Sequence, residues 1–427
     1  MSKNLKIPTL RFKEFSGEWE EKNYGEIYTF LSTNSLSRDK LNYDSGTVKN
    51  IHYGDVHTKF NTMFNIKNEK VPFINSDIDL SKIKDENYCL EGDLVIADAS
   101  EDYADIGKTM EIISLNNEKV ISGLHTFLAR PDKYDMALGY SGYLLQSWKV
   151  RKQVMIIAQG TKVLSLSTTR LSKIKLNLPQ KQEQEKIASF LSSIDKKIEQ
   201  LSKKDELLHS YKKGLMKKIF SQEIRFSPKG TSSQAQGEKD GSVYPDWEEK
   251  KLGELTKINQ GLQIAISERY TEKIEESYFY ITNEFLKDNS EKKYFIKNPP
   301  QSVICGEDDI LMTRTGNTGQ VVTNVIGAFH NNFFRINYFE NFNKDFLVYF
   351  LRLESTQNMI LRYAGTSTIP DLNHSDFYKL KINLPSIEEQ TKIANFLSSI
   401  DTKISQNKKA LEETKKFKKA LLQQMFV

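Results

Sequence analysis

Residues 171–220 read LSKIKLNLPQKQEQEKIASFLSSIDKKIEQLSKKDELLHSYKKGLMKKIF, and residues 377–426 read FYKLKINLPSIEEQTKIANFLSSIDTKISQNKKALEETKKFKKALLQQMF. The second stretch follows the first by 206 residues, without a gap, and about half of the positions are identical. Shared coiled-coil composition does not produce identity of that kind, so the chain is written twice. Each copy opens on an alternating strand pattern that ends at Pro179 or Pro385. Glu183, or Glu388 with Glu389, then places negative charge at the start of a helix. In the first copy Ile187, Ile194, Leu201, Leu208 and Leu215 recur every seven residues. In the second the line runs through Ile393, Ile400, Asn407, Thr414 and Leu421. Gly214 is the only glycine or proline inside either run, so each predicts a helix of about 35–40 residues, roughly 50–60 Å long. A seam of that length must be buried against another helix, and the other copy is the simplest partner.

Working outward, weaker echoes stand upstream in the same order. Trp19-Glu20-Glu21-Lys22 matches Trp247-Glu248-Glu249-Lys250, and Arg11-Phe12 and Arg225-Phe226 precede the tryptophans. Gly92-Asp93-Leu94-Val95 answers Asp308-Asp309-Ile310-Leu311. A histidine follows in each half, His125 and His330, and then Gly160-Thr161 answers Gly365-Thr366. The spacings differ between halves, so each unit has a variable front and a nearly fixed back. This is duplication of one large unit, because a solenoid needs three or more short repeats. The fronts alternate short β-rich runs (94–97, 112–115, 321–325) with helical patches at 136–158 and 344–363.

The expected architecture is α+β. Two similar mixed α/β heads are each followed by a long helix, and the helices pair as an antiparallel coiled coil with pseudo-two-fold symmetry. The expected boundaries are 1–170 for the first head and 171–225 for its helix, then 226–246 for a flexible linker. The second head takes 247–376 and its helix 377–427. The small, polar, glycine-bearing stretch around 227–242 supports the linker.

Composition narrows the class. The chain has 427 residues, 38% hydrophobic and 27% charged, with a net charge of +5. That mixture buries surface and excludes wholesale disorder. It contains no apolar run of spanning length, and Met1–Leu10 lacks the apolar stretch of a signal peptide. Two cysteines cannot build a disulfide framework, so a cytoplasmic location and no membrane association are expected.

A search for catalytic chemistry finds little. No glycine-rich phosphate or dinucleotide loop occurs. Asn298-Pro299-Pro300-Gln301 resembles the Asn-Pro-Pro-aromatic motif of amino-methyltransferases, but Gln301 replaces the aromatic that stacks the flipped base. His52 and His57 lack the partners of a zinc site. The chain reads as non-catalytic, with no metal and no cofactor of its own. Two diverged heads joined by long helices form a caliper that can meet two DNA segments.

The pattern at 178–195 and 384–401, Leu-Pro…Glu-Gln…Ile-Ala…Phe-Leu-Ser-Ser-Ile-Asp, resembles the conserved regions of type I restriction-modification specificity subunits. The opening Leu10-Arg11-Phe12…Trp19 and the strand runs at 92–95 and 309–316 are similar to that family as well. The resemblance covers nearly the whole chain apart from the linker and variable loops. It implies two target recognition domains reading the two parts of a split double-stranded DNA target. It also implies paired helices that set the spacing and dock two modification subunits, with two restriction subunits joining them. S-adenosylmethionine, ATP and Mg²⁺ are expected on those partners and not on this chain. The alternative class is a non-DNA coiled-coil scaffold whose heads bind proteins.

Base edges are read by Arg, Lys, Asn, Gln, Ser, Thr and sometimes His, and phosphates by cations and hydroxyls. The candidate DNA-binding residues of head one are His52, His57, Lys59, Ser100, Tyr103, Lys108, His125, Thr126, Thr161 and Lys162. Those of head two are Arg314, Thr315, Asn317, Thr318, His330, Asn331, Asn332, Thr366, Ser367 and Thr368. The recurrence of His125 and His330 equally suits a shared scaffold role. Ile187, Ile194, Leu201, Leu208, Leu215, Ile393, Ile400 and Leu421 are expected to pair the helices. Lysine pairs along both helices suit a solvated docking face. Residues 171–220 carry 12 basic and 6 acidic side chains, and 377–427 carry 10 and 5, so the remainder of the chain is net acidic.

Overall fold

The computed structural model describes residues 6–228, 244–287, 290, 292–365 and 370–427, together with the backbone of Ser233–Gln234. The chain divides into two compact units, Met1–Ser202 with Lys409–Val427, and Lys203–Lys408. Each unit therefore holds one head, the start of that head's own long helix and the end of the other long helix. The helices span Lys181–Phe220 and Ile387–Gln424, close to the lengths that the heptads predict.

In the first unit the head carries a five-stranded sheet. Its order is Thr29–Leu31, Thr126–Arg130, Leu94–Ala97, Thr109–Ser114 and Met63–Asn65. A second sheet orders Val120–Ser122, Lys49–Ile51, Phe73–Ile74 and Leu41–Asn42. The repeated strand Lys175–Leu178 leaves this head and pairs antiparallel with Glu20–Asn23, Glu20 opposite Leu178. Its alternating Leu176 and Leu178 are buried, as a one-sided strand requires. Ile187, Leu191 and Ile194 of the first helix share a core with Leu421, Met425 and Phe426 from the end of the second.

The second unit repeats this plan. One sheet orders Thr256–Gln260, Phe333–Tyr338, Ile310–Thr313 and Val321–Val322. The other orders Tyr294–Lys297, Ser277–Ile281, Gly327–Phe329 and Ile304–Cys305. Glu248–Lys251 pairs with Lys381–Leu384, Glu248 opposite Leu384, reproducing the register of the first unit. Ile393, Leu397, Ile400 and Ile404 share a core with Met216 and Ile219, and Leu208 and Leu215 pack against it. In both units a helix end lies against a helix start, which is antiparallel pairing. Leu201 is buried, and the other seven expected helix-pairing residues lie in or against these two cores. Asn407 breaks the heptad line yet is buried, with Nδ2 3.4 Å from Asp205 Oδ1.

Several boundaries move. The helical patch at 136–158 is two helices, Tyr140–Leu144 and Trp148–Ile157, separated by Ser147 in extended conformation (φ −61°, ψ 143°). The patch at 344–363 splits in the same way at Leu353 (φ −65°, ψ 135°) into Lys344–Arg352 and Glu354–Ala364. Gln357 takes up the Leu351 carbonyl at the break, so it leaves that group paired. Amphipathic spacing does not reveal such a redirection, because both pieces keep one apolar face. The strand expected at 321–325 ends after Val322, and Asn324 turns the chain with φ 58°. Phe226, the expected first residue of the linker, is instead buried edge-on to Phe396, with centroids 5.5 Å apart. Lys392 donates to the Ser227 and Pro228 carbonyls just beyond it. The rest of the expected linker, through 243, lies outside the described residues except for Ser233–Gln234, whose backbone pairs with Ile224–Arg225.

Candidate nucleic-acid interface

A reading surface needs a rigid mount, and here the mount is built twice from the same parts. Arg11 grips Glu183 through Nε and Nη2, at 2.8 and 2.7 Å, and Arg225 grips Glu389 at 3.2 and 2.8 Å. Both glutamates are buried in the first turn of a long helix, where the helix dipole favours an anion. Gln184 and Gln390 donate to the preceding prolines' carbonyls and accept from the Ala137 and Asn343 N–H groups. Tyr143 donates to Asp195 at 2.8 Å, and Lys418 meets the same carboxylate at 2.7 Å. The counterpart is Tyr349 to Asp401 at 2.7 Å, with Lys212 at 2.5 Å. Lys418 and Lys212 also lie over the Tyr143 and Tyr349 rings, at 5.4 and 4.9 Å. Two lysines expected on a solvated face are thus packed into the mount.

Head one gathers several of its candidates around Tyr53. The Tyr53 ring lies 4.7 Å from His52, 6.1 Å from His57 and 5.3 Å from His125. His57 Nε2 sits 2.9 Å from the Ala99 carbonyl, and Lys108 donates to the His57 carbonyl at 2.6 Å. Ser100 belongs to a short strand whose partner is Leu164–Ser165, which brings it near Thr161 and Lys162 in an exposed turn. Tyr103 and Lys59 are exposed as well. His125 is half-exposed, at φ 54°, with Nδ1 3.3 Å from Asp98. Burial raises the Asp98 carboxyl above the usual range, with His125 opposing the shift.

Two head-one candidates have internal duties. His52 is buried and caps the helix Tyr53–Thr58 by accepting the Gly54 N–H. Its burial, and the Arg38 charge beside it, lower its pKa. Thr126 is buried and its hydroxyl is taken by Ser122 and the Gly123 carbonyl. Sequence reasoning missed Arg38 and Asp55. The buried Asp55 carboxylate meets Arg38 at 2.6 Å and Lys59 at 2.9 Å. Burial opposes its ionisation, but the two cations outweigh that and hold it below the usual range. Tyr43 was missed too, although Lys59 and Lys70 lie over its ring at 5.6 and 5.1 Å. Aromatic and basic residues interleaved in that stretch are the signal that could have found it.

Head two centres on Gln260, another missed residue. Its Oε1 is 3.1 Å from Arg314 Nη1 and 2.8 Å from His374 Nε2, while its amide donates to the Asn331 carbonyl. Arg314 is held by Asp371 through Nε at 2.9 Å and Nη2 at 2.6 Å. Gly261 is the signal beside Gln260, since a Cβ there would lie 2.2 Å from the His330 carbonyl oxygen. Asn331 Nδ2 donates to Gln263 at 2.8 Å, and its Oδ1 is buried without a partner among the described residues. Thr315 and Asn332 are half-buried and Asn317 is exposed. Thr318 is buried, donating to the Pro370 carbonyl at 2.7 Å, which makes it a loop lock. Thr366, Ser367 and Thr368 lie outside the described residues.

The two recurring histidines are not equivalent. Strand register places Thr126 opposite Ala97 and Phe333 opposite Thr313, so His125 corresponds to Asn332. His330 lies two residues earlier, against the Tyr280 ring at 5.6 Å, and accepts the Asn332 N–H on Nδ1. Burial, reinforced by Arg269, lowers its pKa to about 4. The same register aligns Asp98 with Arg314, in step with the match of Asp93 to Asp309. Among the described residues no group of three His, Cys, Asp or Glu side chains is arranged to hold a metal ion, and no helix is long and apolar enough to cross a membrane.

Comparison with known proteins fits this doubled plan. The type I restriction modification DNA specificity domain matches residues 16–209 and again 244–416. The chain belongs to that family and carries one domain copy in each half. It is 27% identical over 427 aligned residues to the putative type I restriction enzyme MjaX specificity subunit of Methanocaldococcus jannaschii, covering 96% of this chain and 93% of that protein. The MjaVIII specificity subunit of the same organism is 28% identical, covering 73% and 74%. The fold resembles the crystal structure of the type I restriction-modification system S subunit from M. genitalium, with TM-score 0.57, 15% identity and 99% of both chains covered. A chain solved in work on complex assembly and conformational transition of the type I R-M system gives TM-score 0.56 at 14% identity, covering 95% of this chain and 96% of that one.

Proposed function

We propose that this chain is the DNA-specificity subunit of a type I restriction-modification complex. It does no chemistry itself. Each head reads one half of a split double-stranded target, and the long helices set the spacing. They also dock two modification subunits, which supply S-adenosylmethionine and methylate adenine, and two restriction subunits supply ATP-driven cleavage with Mg²⁺. The observation that carries this reading is the contrast within the duplication. Two copies of a DNA specificity domain share one mount, residue for residue, while their outward loops differ in charge and length. A subunit that must hold two heads alike and read two sequences needs that division.

The charge distribution supports dependence on partners. The helices are basic and the heads slightly acidic, with 22 basic against 23 acidic residues in 1–170 and 17 against 22 in 221–376. Phosphate neutralisation dominates DNA affinity, so the lone chain is expected to bind weakly. Methylome sequencing of a host with and without this chain tests the reading. A bipartite adenine-methylation motif that appears only with the chain is the expected result. An identical methylome in both strains would remove it.

A further inference from the structure

The strands Leu94–Ala97 and Ile310–Thr313 occupy the same place in the two heads, and the residue after each sits in the same backbone cradle. The Asp98 N–H donates to the His125 carbonyl at 3.1 Å, and its own carbonyl accepts the Leu166 N–H at 2.8 Å. The Arg314 N–H donates to the Asn332 carbonyl at 2.8 Å, and its carbonyl accepts the Leu372 N–H at 2.8 Å. Leu166 and Leu372 are themselves 206 residues apart, the offset of the duplication. Both side chains are about a quarter exposed, at 24% and 25%. A residue kept for scaffold duty would keep its sign of charge, but here the sign inverts.

The surroundings prepare each group differently. Arg314 has five N–H donors. Asp371 takes one on Nε and one on Nη2, and Gln260 takes one on Nη1. Among the described residues no other acceptor takes the remaining N–H on each terminal nitrogen, and the clamp fixes the plane of the guanidinium. Two donors in one plane, one on each terminal nitrogen, can meet the O6 and N7 acceptors of guanine. Asp98 presents acceptors only, with His125 against one side. A carboxylate next to DNA is repelled by acceptor edges and is accommodated where it accepts from an amino group, as on cytosine N4.

We propose that Asp98 and Arg314 are the same base-reading position in the two heads, Arg314 selecting a guanine and Asp98 a cytosine amino group. This rests on the DNA-specificity reading above. The test uses the full chain assembled with its modification subunits, as wild type, Asp98→Asn and Arg314→Gln, with the methylated motif of each mapped by sequencing. Arg314→Gln is expected to relax or convert one guanine position in one half of the motif. Asp98→Asn is expected to do so at one cytosine position in the other half, with all remaining positions unchanged. Replacing each target guanine with 7-deazaguanine should weaken wild-type binding about 10-fold at one position. The Arg314→Gln complex should not sense that replacement. Unchanged motifs in the variants overturn the assignment while leaving the two-headed reading intact. If a variant methylates nothing, the wild-type measurement decides: no guanine whose N7 matters overturns it. A wild-type complex that shows no two-part motif removes the reading itself, and this assignment with it.

Discussion

The backs of the two halves repeat the same ion pairs and tyrosine networks, and their fronts do not. Tyr143, Asp195 and Lys418 form one network, and Tyr349, Asp401 and Lys212 form its copy, each residue offset by 206 from its counterpart. Arg11–Glu183 and Arg225–Glu389 repeat as a pair too, the glutamates again offset by 206 and the arginines by 214. At the tip of the same strand, however, one head holds Asp98 and the other Arg314. A five-stranded sheet in one head answers a four-stranded sheet in the other. The difference follows from what each region must satisfy. A buried carboxylate without its cation is costly, so the mount tolerates little change. A loop facing solvent carries no such penalty and is free to take on new chemistry.

The sharpest break in the comparison lies inside the mount. Trp247 Nε1 donates to Glu389 at 3.0 Å, whereas Trp19 Nε1 is buried without a partner among the described residues. Arg11→Met therefore strips Glu183 of more of its compensation than Arg225→Met strips from Glu389. The expected destabilisation is about 3 kcal/mol for the first and about 1 kcal/mol less for the second, read by denaturant unfolding of the full chain. Equal losses would mean the tryptophan hydrogen bond contributes nothing.

A smaller asymmetry is set by pH. The His330 pKa falls from 6.5 to about 4 on folding, so the unfolded chain binds more protons between those values. Stability from this group is complete above pH 6.5 and is lost as pH falls towards 4. His330 is partly solvated, so the expected loss is about 1–2 kcal/mol. In His330→Asn, which keeps an acceptor for the Asn332 N–H, the stability profile over pH 4–6.5 should flatten by that amount. An unaltered profile would show that His330 is protonated in the folded chain. The smallest effects should be symmetric. Tyr143→Phe and Tyr349→Phe each remove one hydrogen bond to a carboxylate, about 1 kcal/mol apiece. A pair of clearly unequal losses would show that the two networks are not energetically equivalent.

Much of this was legible in the sequence. The ungapped offset of 206 and the heptad line foretold the long helices, their pairing and the doubled heads, because helix periodicity is a local property. The network partners were not legible. Asp195 and Lys418 lie on different helices more than 200 residues apart, and nothing local links them. His125 and His330 misled because a residue type recurred while the register did not, and only strand pairing separates them. Gln260 and Asp371 escaped because each gains meaning only beside Arg314. Thr126 and Thr318 looked like readers by residue type, but burial assigned their hydroxyls to the backbone.

The most direct test of the central claim, that each head reads its own half of one target, is a head exchange. Residues 1–170 are replaced by the corresponding front of another family member, and the methylated motif of the complex is mapped before and after. One half of the motif should change and the other should stay as it was. A change in both halves, or in neither, would contradict the division of labour between the heads.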